Sequence, residues 1–100
     1  MNKIENLLLV TMEEAAELQQ NISKAMRFGM NTYCEEYQHK VDNESELLLE
    51  FYQLQAMIEH MQDIGILKKI PKEDIEKIKS NKLEKVYKYM DVSKSLDLLK

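Results

Sequence analysis

Residues 2–29 read NKIENLLLVTMEEAAELQQNISKAMRFG, and their spacing decides the fold. Ile4, Leu7, Leu8, Thr11, Met12, Ala15, Leu18, Ile22, Ala25 and Met26 keep the 3.6-residue rhythm of an amphipathic helix. The pattern predicts one long helix from about Asn2 to Arg27. Gly29 would stop it, because glycine accepts the left-handed conformation at a helix end. Within this helix Glu13, Glu14 and Glu17 cluster in little more than one turn. Positions three and four apart share a face, so Glu17 stacks with both of the others. Stacked carboxylates repel one another unless a cation lies among them.

Outward from this helix comes a polar connection, Met30 to Asp42, carrying Tyr33, Cys34 and Tyr37. It is long for a loop between bundle helices, where long loops tend to be functional or disordered. A second helix is expected to open at Asn43, with Asn43 as its cap and Glu46 completing a capping-box pair. Leu47, Leu48, Phe51, Leu54, Met57, Ile58 and Met61 give it a wide apolar face up to about Asp63, with Gly65 as terminator. Pro71 suits the first turn of a third helix, where its missing N–H does no harm. Glu73 and Asp74 suit that helix's positive end. Ile75, Ile78, Leu83, Val86 and Met90 carry it to about Met90, and a short C-terminal helix from Ser93 to Leu99 is expected after it. The expected fold is all-α: one domain over residues 1–100, an antiparallel helical bundle of two long helices plus C-terminal helices. In that arrangement the Glu14/Glu17 turn can face a second acidic position, Glu50, and Gln53 one turn beyond it.

Composition limits the function classes. A 100-residue chain with 44% hydrophobic residues builds a small core and gains from burying a further face against another subunit. The net charge of -4 argues against a general nucleic-acid binder. The charge is uneven: the stretch from Met1 to Glu50 is acidic, whereas Lys68 to Lys88 is lysine-rich with four acidic residues. The single Cys34 excludes an intramolecular disulfide and fits a reducing cytosol. No signal-peptide pattern and no membrane-spanning run stands out, so a cytoplasmic protein without nucleic-acid or membrane partners is expected.

The residues together resemble the MazG-like, all-α nucleoside triphosphate pyrophosphohydrolases, in particular the short phage and bacterial type. That family's motif is EExxE, a spacer, then ExxD. Glu13, Glu14 and Glu17 match the first part and Glu50 opens the second, while Gln53 stands where the Asp falls. Ser23-Lys24-Ala25-Met26-Arg27-Phe28-Gly29 resembles the segment that follows EExxE, and Asn43 resembles the residue that starts the second helix. Ile64-Gly65-Ile66-Leu67 and the Lys77, Lys82, Ser93 spacing resemble the C-terminal half.

The resemblance implies Mg2+-dependent cleavage of an NTP or dNTP to monophosphate and pyrophosphate, with Mn2+ as a possible substitute ion. It implies Glu14, Glu17, Glu50 and Gln53 as metal ligands and Glu13 as a further catalytic carboxylate near the attacking water or a second metal. Asn21, Lys24, Arg27 and Lys82 would face the substrate, and the chain would form a homo-oligomer, dimer or tetramer, in a bacterial or phage-infected cytoplasm. Gln53 leaves a second reading open: a catalytically weakened or inactive member that binds nucleotide or protein. Taken alone, EExxE and the lysines also describe ordinary solvated helix faces. Met12, Met26, Met57, Met61 and Met90 read as core filler, and Phe28 as a core residue closing the first helix.

Overall fold

The computed structural model describes residues 1–32 and 41–100, and they are helical with no strand among them. Tyr33, Cys34, Tyr37 and His39 lie outside the described residues. Three helices follow in order: α1 (Lys3–Phe28), α2 (Asn43–Asp63) and α3 (Lys72–Ser95). No helix is long and apolar enough to cross a membrane. The chain divides into two compact units, 1–68 and 69–100.

In the first unit α1 and α2 form an antiparallel hairpin. Asn2 caps α1, its Oδ1 accepting from the Glu5 N–H at 2.8 Å. Gly29 ends the helix at φ 94°, and its N–H donates to the Ala25 carbonyl. The α2 cap differs from the sequence expectation. Asp42, one residue earlier, takes the role, its Oδ1 accepting from the Ser45 N–H at 2.7 Å. Hydrogen bonding from the Ser45 side chain, and next from its backbone N–H, holds the Asp42 carboxyl below the ordinary range. Asn43 is buried instead, and its amide donates to the Gly29 carbonyl at 2.9 Å. The chain spends Asn43 on tying the end of α1 to the start of α2, because a carboxylate already serves the free amides.

The hairpin core is thin. Positions 7, 11, 14, 18, 21 and 25 of α1 are shielded by α2, and positions 43, 47, 50, 54, 57 and 61 of α2 by α1. Among the described residues, Met61, with 0% exposure, and Ala25 are the buried apolar ones. The single apolar face expected for α1 is therefore two adjacent stripes, of which one is packed. Ile4, Leu8, Met12, Ile22 and Met26 are exposed, as is Phe28, whose ring lies 4.9 Å from the Arg27 guanidinium carbon. Of the methionines expected as filler, Met61 serves as one, whereas Met12, Met26 and Met90 do not.

α2 ends in a Schellman arrangement. Gly65, at φ 84°, donates to the Gln62 carbonyl, and Ile66 donates to the Met61 carbonyl. In the second unit Pro71 precedes α3, and Glu73 and Asp74 occupy its first turn. The separate C-terminal helix expected from Ser93 does not form. α3 runs on through Val92 to Ser95, since no Gly or Pro interrupts it. Asp97, at φ 57°, then closes α3 as Gly65 closes α2: Leu98 donates to the Ser93 carbonyl and Asp97 to that of Lys94.

Candidate functional site

The antiparallel register brings the middle of α1 to the middle of α2. One carboxylate oxygen each from Glu14, Glu17 and Glu50 lies within 4.8 Å of the other two. Glu14 and Glu50 are half-buried between the helices, and Glu17 is exposed at the rim. Gln53 completes the cluster, but as a donor. With its amide nitrogen turned inward, the orientation that satisfies both groups, it donates to Glu50 Oε2 at 3.1 Å and Glu14 Oε2 at 3.3 Å. Glu13 is exposed on the neighbouring face and is not one of the converging three.

Three acids and one neutral amide leave negative charge uncompensated. The Glu50 carboxyl responds most, pushed up from the ordinary 4.5 to about 7. Partial burial is the largest cause. Hydrogen bonding and charge repulsion from Glu17 come next, and the same influences from Glu14 follow. Near neutrality Glu50 therefore holds a proton part of the time. A divalent cation would replace that proton, since hard oxygen donors drawn from two facing helices suit Mg2+ or Mn2+.

A cleft of about 300 Å³ adjoins the cluster, lined by Glu17, Gln20, Asn21, Lys24, Val41, Asn43, Glu46 and Glu50. It contains two of the residues expected to face substrate, Asn21 and Lys24. The Asn21 amide donates to the Glu46 carbonyl at 3.4 Å, which steadies the cleft floor. Arg27 is stacked on Phe28 and is not among the lining residues. Lys82 belongs to α3, in the unit 69–100. Gln20 and Val41 were not expected in the site, and Glu46 was expected as a capping residue. Glu46 is free for the cleft because Asp42 caps α2. The spacing of Gln20 from Glu17 and Lys24 on one helix face is the signal that could have found it.

Compared with known proteins, the chain matches no family model, no curated protein and no solved structure.

Proposed function

We propose that the protein is a divalent-metal-dependent nucleotide pyrophosphohydrolase of the MazG-like, all-α type, converting an NTP or dNTP to the monophosphate and pyrophosphate. One observation carries this reading: three carboxylates from two helices converge within 4.8 Å beside a polar cleft. Glu14, Glu17 and Glu50 would hold Mg2+ or Mn2+. Such an ion, when bound, reverses the local sign of charge and polarises the phosphorus–oxygen bonds. Lys24 adds positive charge for a phosphate at the cleft wall. Gln20 and Asn21 offer amides suited to a sugar or base in the remaining space. Water attacks the α-phosphorus, the bond to the bridging oxygen of the β-phosphate breaks, and the proton passes to a carboxylate. By the same resemblance Glu13, exposed and outside the converging three, would orient that water or meet a second metal.

A second reading rests on Gln53. Its amide donates to both Glu14 and Glu50, doing part of what a cation would do. That favours a weakened member that binds nucleotide with slow turnover or none.

Incubation with a panel of NTPs and dNTPs, with Mg2+ and Mn2+ in parallel and pyrophosphate as readout, separates the two. The enzyme reading expects release that Glu17→Ala and Glu50→Ala abolish. Activity unchanged in both variants removes these residues from the site. Absence of release throughout the panel, with a metal-dependent rise in Tm retained, favours the second reading.

A further inference from the structure

The cleft beside the acidic cluster is a groove with an order along it. Asn43, Glu46 and Glu50 are spaced i, i+3, i+7 on α2 and share one face of that helix. Glu17, Asn21 and Lys24, spaced i, i+4, i+7, line the groove from α1. The Asn21 amide donates to the Glu46 carbonyl at 3.4 Å, which sets these two residues across the groove from each other. Along α2 from the cluster Glu50 comes first, Glu46 follows one turn later, roughly 6 Å on, and Asn43 comes last. A nucleotide held by its phosphates at the cluster has a matching order: phosphates, then sugar, then base.

We infer that Glu46 reads the sugar: its carboxylate accepts from the 2′- and 3′-hydroxyls of ribose, so that ribonucleotides are preferred to 2′-deoxyribonucleotides. This rests on the reading of the cluster and cleft as a nucleotide site. Three observations select the role. The first is position, one turn beyond the phosphate end, where the sugar comes next. The second is availability. The Glu46 N–H donates to the Asp42 carbonyl and its own carbonyl accepts from Asn21, while Asp42 serves the free amides of α2. The half-buried side chain is thereby left to the cleft it lines. The third is chemistry. An ionised carboxylate only accepts hydrogen bonds, and it repels phosphate, for which Lys24 is the cation on the opposite wall. Its two oxygens suit a pair of neighbouring hydroxyls, and a carboxylate holds the ribose hydroxyl in the same way in dinucleotide-binding folds. The N–H groups of a base lie beyond the sugar, level with Asn43.

Pyrophosphate release from each NTP against its 2′-deoxy counterpart, in Mg2+ and with the full chain, tests this, because the base cancels in the ratio. The ratio of kcat/KM, ribo over deoxy, should be on the order of 10-fold, the lower end for a hydrogen bond to a charged group in a cleft open to solvent. In Glu46→Ala the ratio should fall towards one through a higher KM for the NTPs. Glu46→Gln, which keeps one acceptor oxygen, should fall between. A part in helix stability alone, from the place of Glu46 in the first turn of α2, would lower both substrates equally and leave the ratio intact. That outcome overturns the inference. So do equal rates on the two sugars in the unsubstituted chain, which leave the proposed activity standing. A ratio that survives Glu46→Ala while the ranking of bases shifts also overturns it, by assigning Glu46 to the base. Where no nucleotide releases pyrophosphate, Tm in Mg2+ decides. A larger rise with NTP than with dNTP, equalised by Glu46→Ala, supports the inference without turnover, and equal rises or none overturn it.

Discussion

Gln53 is an amide at a place where the neighbouring chemistry is all carboxylate, and its two contacts explain how the cluster stays together. An amide nitrogen between Glu14 and Glu50 offsets part of their repulsion with no net charge. Replacing it with an acid raises the charge available to a cation and deepens the repulsion in its absence. Gln53→Asp should therefore lower the Mg2+ concentration needed for half-maximal pyrophosphate release, by on the order of 10-fold. Titration of release against Mg2+ reads this directly, and a raised requirement would count against the cation site. Helix spacing made Glu14 legible with Glu17 and Glu50 with Gln53, and the expected antiparallel pairing of the two helices set the two pairs face to face. It did not reveal that Gln53 donates, since an amide presents donor and acceptor alike and only the facing carboxylates select between them.

At the scale of the elements, helix lengths followed from periodicity and caps, and two of the three ends fell within a residue or two of expectation. What periodicity left undecided was the packed face of α1. Stripes one residue apart, Leu7–Ala25 and Ile4–Met26, both satisfy the 3.6-residue rhythm, and only the partner helix chooses between them. The end of α3 was hidden for a different reason: Asp97 in a left-handed conformation carries none of the glycine signal seen at Gly65. Two predictions belong here. Met61, fully buried where the two helices meet, should cost about 2–5 kcal/mol on Met61→Ala, read as a fall in the denaturation midpoint at constant chain concentration. Asn43→Ala leaves the Gly29 carbonyl without its donor and should cost about 1–3 kcal/mol. Asn43→Asp cannot donate from an ionised carboxylate and should not restore the loss at neutral pH, which sets this role apart from helix capping.

For the molecule as a whole, the acidic cluster links folding to pH. In the absence of divalent ions, the folded chain between about pH 4.5 and about pH 7 holds a proton on Glu50 that the unfolded chain has released. Stability from this group is fully present below that window and is lost as pH rises through it. Melting curves in a chelator should show Tm declining over this range, with the decline reduced in Glu50→Gln. Mg2+ held by the cluster would compete with the same proton, so under the proposed function its stabilising effect should be larger at pH 8 than at pH 6. The uneven charge along the chain was plain in the sequence. The placing of Glu17 and Gln53 on one side of the hairpin and of Leu8, Met12 and Phe51 on the other was not, because it depends on which positions of α1 and α2 face each other.

Whether Glu14, Glu17 and Glu50 act as one cation site is read by Mn2+ binding followed by electron paramagnetic resonance. One saturable Mn2+ site per chain is expected, competed by Mg2+ and lost in both Glu17→Ala and Glu50→Ala while helicity is kept. Mn2+ that stays free in the presence of the intact protein, or binding that persists undiminished in both variants, would contradict it.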